Sequence, residues 1–179
     1  MYKDLIKHLE LMSHSHVQNY VIPGLKSSLI GAPTDCNGLV RMFSIDRVQH
    51  ENISPHSHRY DFTCLVLAGH VDNTIWEEVS DSTIGDEYVV IINKYKGEIG
   101  KYETLFGRTA NYITRTVRYF PGDIYSMTHT QIHSIVFSKG ARVLFFEGPP
   151  LATTSVMLEP CVDNERVLTG RIQDWMFQK

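Results

Sequence analysis

The sequence predicts an all-β fold, a sandwich or barrel, with one short helical element at the N-terminus. Three observations predict it. From Gly38 onward, segments rich in Val, Ile, Thr, Phe and Tyr recur at short intervals, with Gly, Asn, Asp and Pro between them. Their apolar positions often alternate, which is the period of a strand with one buried face. No repeat, low-complexity stretch or linker divides the 179 residues, so they read as a single domain able to bury a core of its own.

Taken in order, the first element runs from Tyr2 to about Met12, where Leu5, Ile6, Leu9 and Leu11 recur at roughly helical spacing. A second short helix is read over 24–30, after Pro23-Gly24, so that residues 1–33 form a helical arm. The texture changes after Pro33-Thr34-Asp35. Strands are predicted at 38–49, 62–69, 70–79, 87–95, 101–107, 112–120, 133–138 and 141–148, placing the barrel over 36–150. The stretches 80–87 and 159–170 read as surface loops or edge hairpins. Residues 151–179 are expected to be a strand or tail docking on the barrel, with Trp175, Met176 and Phe177 supplying the apolar contact.

Composition narrows the function classes. With 42% hydrophobic and 21% charged residues the chain is of globular type, and its net charge of −3 with no Lys/Arg cluster argues against nucleic acid as partner. Cys36, Cys64 and Cys161 lack CxxC spacing, which argues against a disulfide framework or zinc ribbon and fits a reducing cytoplasm. No signal peptide is read at the start and no run is long enough to span a bilayer, so neither a membrane nor secretion is expected. There is no GxSxG nucleophile elbow and no GxxxxGK[ST] phosphate loop. Cys64 sits inside an apolar strand, where a buried, inert thiol is the expectation.

What remains is histidine chemistry. In "SPHSHRYDF" (54–62), His56 and His58 stand two apart, so in an extended chain both rings lie on one face about 7 Å apart. Two imidazoles so placed can converge on one ion about 2 Å from each nitrogen, given a third ligand from elsewhere. His133, His129 and a carboxylate from Asp61, Glu77 or Glu78 are the candidates. His133 begins an apolar strand and is favoured; His129 lies in what reads as a turn. The same spacing at His14 and His16 follows the first helix and reads as solvated, as does His8 on the helix. His50 and His70 read as turn or strand-surface residues. Strict alternation puts Asp61 on the face opposite His56 and His58, where it could pair with Arg59 or Arg41; a local bulge would instead bring it to the ion. It could also hold a ligand histidine by its other nitrogen.

The ordered set HxH, apolar strand, Gly69, Pro121-Gly122-Asp123, His133, strand resembles the two sequence motifs of the cupin superfamily. The stretch "HSHRYDF" also looks like the HxHx[WY]DF form of cysteine-dioxygenase-like and other cupin-like proteins. The resemblance covers roughly 36–150. It implies a double-stranded β-helix, a cupin or jelly-roll barrel, with His56, His58 and His133 as the three histidine ligands and often a homodimer. The position of the usual cupin glutamate, counted back from Gly69, falls on Phe62, so Asp61 is the alternative carboxylate. Cys64 is two residues from the place where cysteine dioxygenase carries its crosslinked cysteine.

The implied function is a metal-dependent enzyme on a small-molecule substrate, a non-haem Fe2+ dioxygenase first, with Zn2+, Ni2+ or Mn2+ as other ions for the site. A cupin-type isomerase or lyase, using the ion as a Lewis acid, and a non-catalytic ligand-binding barrel are the alternatives. Tyr60 and Tyr125 are the candidate catalytic residues, since a phenol beside an ion can donate a proton or a hydrogen bond. With Phe62, Trp76, Tyr119 and Phe145 they either line a pocket or fill a core. Arg59 and Arg118 are candidates to hold a substrate carboxylate through a two-pronged fork.

Overall fold

A computed structural model describes residues 2–32, 38–49, 53–97 and 102–161. Among these residues one helix, α1 (Lys3–Met12), precedes eleven strands: β1 (Ser15–Val17), β2 (Leu25–Gly31), β3 (Leu39–Ile45), β4 (Phe62–Ala68), β5 (Val71–Val79), β6 (Asp86–Tyr95), β7 (Tyr102–Tyr119), β8 (Ile124–Met127), β9 (Ile132–Phe137), β10 (Arg142–Glu147) and β11 (Thr154–Pro160). They form two antiparallel sheets, in the orders β1-β2-β3-β10-β4-β8 and β11-β6-β7-β5-β9. Residues 54–58 complete the second sheet. His56 exchanges both backbone hydrogen bonds with His133 on β9, while Ser57 and Pro55 bond to Val156 and Leu158 on β11. From residues 54–58 onward the chain passes back and forth between the two sheets, with β4, β8 and β10 in the first and β5–β7, β9 and β11 in the second, which is the winding of a double-stranded β-helix.

The core lies between the sheets. Inward positions of the first sheet supply Leu25, Ile45, Phe62, Cys64, Val66, Val143 and Phe145; the second supplies Val71, Ile135 and Phe137. These positions follow the period of two, as in the alternation of buried and less buried residues along β4 and β9. The helix covers the outer face of the first sheet, where Tyr2, Ile6 and Leu9 pack against Met42, Leu67 and Leu144. Leu5 and Leu11 are exposed, because a three-residue step from Ile6 to Leu9 leaves them off the buried stripe.

Several expectations need correction. The helix read over 24–30 is β2, paired antiparallel with β3 from Leu25↔Ile45 onward. Pro23-Gly24 ends a tight turn there, with Gly24 at φ 81°, and the partner strand decides the conformation. The strands read at 101–107 and 112–120 are one strand, β7, which pairs with β6 over its first half and β5 over its second. The chain does not break between them. Gly107 and Arg108 together oppose the single residue Val90, a bulge that bends the strand. A Cβ on Gly107 would stand 2.5 Å from the Val90 carbonyl oxygen, so that position has no room for a side chain. Strands β1 and β8 are further additions, each short or bordered by polar residues, while β11 falls within 151–179, where a strand or tail is expected. Cys36, His50 and the Trp175-Met176-Phe177 triplet lie outside the described residues, so the docking tail is represented only by β11. No helix among the described residues is long and apolar enough to cross a membrane.

Candidate metal centre

His56 and His58 stand on the segment strapped between β9 and β11, and His133 stands on β9 beside it. Their rings gather at one point of the cavity between the sheets. The ring centroids are 4.8 Å apart for His56–His58, 4.9 Å for His56–His133 and 5.2 Å for His58–His133. One ligand nitrogen of each lies within 4.8 Å of the others. Nitrogens about 2 Å from a shared ion sit within about 4 Å of each other, so a closure of under about 1 Å suffices.

Hydrogen bonds set the tautomers. His56 Nδ1 lies 2.8 Å from the Ser54 carbonyl oxygen, which can only accept, so Nδ1 carries the proton and Nε2 a free lone pair. His133 Nδ1 lies 2.8 Å from Asn73 Oδ1. The Asn73 amide is oriented by its Nδ2, which donates to the Met127 sulfur at 3.3 Å. Its oxygen therefore faces the imidazole, and His133 too presents a bare Nε2. That atom is 3.0 Å from His58 Nε2. Burial lowers the pKa of all three rings, and neighbouring imidazoles lower His58 and His133 further. They are held neutral, the state a metal ligand requires.

Phe62 occupies the flank where the cupin resemblance places a glutamate. Its ring is 4.8 Å from that of His58 and 5.4 Å from that of His133, so this side of the cluster is apolar. Asp61 does not replace the missing carboxylate, and the expectation that it is a ligand is corrected. The residue is exposed, its strand parity turning it away from the rings, and Oδ1 accepts from the His129 backbone N–H at 2.7 Å and from its Nδ1 at 2.9 Å. The His129 hydrogen bonds hold the Asp61 carboxyl below its ordinary pKa. His129 is thereby removed as a ligand as well. Glu77 and Glu78 are exposed at the far end of β5, and Glu78 pairs with Arg108.

The cluster opens on a cavity of about 510 Å³, a size suited to a small molecule. Tyr60 lines it with its ring 5.3 Å from that of His58, and the Tyr60 hydroxyl acts to lower the pKa of Glu147, which burial raises. Tyr125 lines the deeper wall, stacked on Tyr119 at 4.4 Å. Its buried hydroxyl finds no well-aligned partner; the nearest polar neighbour is the Cys64 thiol directly opposite on β4. Burial pushes that thiol up to about 12, consistent with an inert cysteine. Arg59 borders the cavity, whereas Arg118 is spent on an exposed two-pronged bond to Asp72 on the outer face. Trp76 also lies outside, bonded to Ser134.

Sequence reasoning passed over Asn73, Asn93, Arg41 as a cavity residue, and Glu147. Each leaves a signal: a polar residue at an inward position of an apolar strand, as Asn73 is between Val71 and Ile75. A buried polar side chain needs a partner, and here the partner is a ligand histidine or the cavity.

Fold and site together define a double-stranded β-helix with a neutral three-histidine cluster able to take a metal ion. Solved structures of similar strand arrangement include KdgF from Halomonas sp., at 17% identity and TM-score 0.41, covering 75% of this chain and 88% of that one. A cupin superfamily protein from Desulfitobacterium hafniense DCB-2 is 15% identical, with TM-score 0.35 over 66% of this chain and 72% of that one. Hydroxypropylphosphonic acid epoxidase from S. wedmorenis is 9% identical, with TM-score 0.44 over 75% of this chain and 54% of that one. No family model and no curated protein sequence matches the chain.

Proposed function

We propose that this protein is a metal-dependent enzyme acting on a small molecule, with one divalent transition metal held by His56, His58 and His133, and that with Fe(II) it is a dioxygenase. One observation carries the reading: two of the three imidazoles are anchored through Nδ1, so that bare Nε2 atoms converge with that of His58. Such anchoring is the arrangement that fixes metal-ligating histidines. Three neutral nitrogens suit Fe, Zn or Ni, and a three-residue set leaves coordination positions for other molecules. Bound Fe(II) would supply those open positions for a small molecule and dioxygen.

The chain's own part is to shape and dry the site. Phe62 and Phe145 pack at 4.8 Å beside the histidines and keep water from that flank. Tyr60 holds a proton on its hydroxyl near Glu147, where burial raises both pKa values. That places a proton store one ring away from His58.

Elemental analysis of protein purified without a histidine tag tests the first half. About one equivalent of metal is expected, with none in folded His56→Ala/His58→Ala protein. Absence of metal from the wild type sinks every enzymatic reading and leaves a binding barrel. Oxygen consumption by the iron-loaded protein, over a panel of small thiols and carboxylic acids, tests the second half. Iron without oxygen uptake on any of them overturns the dioxygenase and moves the site to Lewis-acid chemistry.

A further inference from the structure

We propose that the substrate is a small organic carboxylate with an apolar body, its anionic end held by Arg41 and Arg59 and its body lying on Phe43, Phe62 and Phe145. The inference rests on the reading above in taking the histidine cavity as the active site, and it adds the chemistry of the occupant.

Among the described residues, the charged side chains that line the cavity are Arg41, Arg59 and Glu147, apart from the neutral histidines. Two guanidinium groups against one carboxyl leave one positive charge in excess in a largely apolar wall. Arg41 on β3 stands opposite Phe145 on β10, two residues before Glu147, and the Arg59 carbonyl accepts from the backbone N–H groups of Leu151 and Ala152 shortly after the end of β10. The three side chains therefore share one end of the cavity. Arg41 makes one long bond to Ser27 Oγ at 3.5 Å, and Arg59 lies over the Tyr95 ring at 4.0 Å. An unbalanced guanidinium in such a site favours an anionic guest, and the two-pronged fork matches a carboxylate.

A second, independent observation concerns polar atoms. Asn93 is 4% exposed, its Oδ1 accepts from Thr104, and its Nδ2 has no partner although the residue lines the same cavity. Among the described residues the Tyr125 hydroxyl, 5% exposed, is the other buried side-chain group without a well-aligned partner, and Tyr125 too lines the cavity. Both can donate. These atoms lie just behind the cavity surface, so two unpaired donors sit close to the space a guest would fill, adding polar character to an otherwise apolar wall. The aromatic wall sets the remainder of the guest: Phe43 and Phe145 are 5.4 Å apart, Phe62 and Phe145 4.8 Å. It offers an apolar face and no further charge.

The test compares two matched probe pairs, 3-phenylpropanoate with 3-phenylpropanamide and octanoate with octanamide, by calorimetry on both metal-free and zinc-loaded protein. At least one acid is expected to bind about tenfold or more tighter than its amide in both metal states. That preference is expected to disappear in Arg41→Gln or Arg59→Gln. Equal binding of acid and amide, or no binding by either pair, overturns the proposal. A preference seen only with zinc assigns the carboxylate to the ion and overturns the role of the arginines. Should a variant fail to fold, the metal-free wild type decides by itself. Zinc stoichiometry is read separately, so a failed metal centre with a surviving acid preference, or the reverse, is distinguishable.

Discussion

Asn73 Oδ1 accepts a hydrogen bond from His133 Nδ1 at 2.8 Å, and the Asn73 amide is in turn tied to Met127 on the opposite sheet. The orientation of one metal-capable imidazole thus depends on contacts that span the cavity. Asn73→Ala removes the acceptor while leaving the three imidazoles in place. Metal affinity is expected to fall by about 10–100-fold, measured by competition with a chromogenic chelator. Unchanged affinity would show that the Asn73 bond does not prepare the site.

The metal-free protein is expected to lose stability in mild acid. His56, His58 and His133 have folded-state pKa values below their ordinary 6.5, chiefly because burial disfavours the charged rings. Between the folded and unfolded values the unfolded chain binds more protons, so stability rises with pH there. The contribution is fully present above 6.5 and is lost as pH falls through the folded values. Urea midpoints at about pH 7.5 should exceed those at about pH 5.5. A midpoint that rises on acidification contradicts neutral burial of the rings.

Asp61→Asn should leave metal stoichiometry unchanged. The carboxyl binds the His129 backbone and ring at the surface, away from the imidazole cluster. A loss of metal as large as that in His56→Ala/His58→Ala would restore Asp61 as a ligand.

Gly69→Ala is expected to destabilise the fold by about 2–4 kcal/mol. Gly69 has φ 69°, and a Cβ there would stand 2.6 Å from Ser138 Oγ and 2.8 Å from Ala141 Cα. Both the left-handed backbone and the close approach to the turn before β10 exclude a side chain. A melting temperature within about 1 °C of wild type would contradict this geometry.

The strands richest in β-branched and aromatic residues, β4, β5, β9 and β10, were legible because alternation is a local property of the chain. The same parity made His56 and His58 share a face and turned Asp61 away from them. Order along the chain also marked His133 against His129. Less legible were β2, whose conformation comes from pairing with β3, and β7, where a bulge at Gly107 replaces an expected break. Both depend on partners distant in sequence.

The sequence by itself determined the alternation that makes two sheets, the identity of three histidines, and the Phe in place of a carboxylate. Only the tertiary structure decided that His56 would be strapped between β9 and β11, that Asn73 would set the tautomer of His133, and that Arg41, Arg59 and Glu147 would share one end of the cavity. The reason is physical: which way a side chain faces follows from its neighbours along the chain. What it meets there depends on hydrogen bonds and charges brought in by other strands.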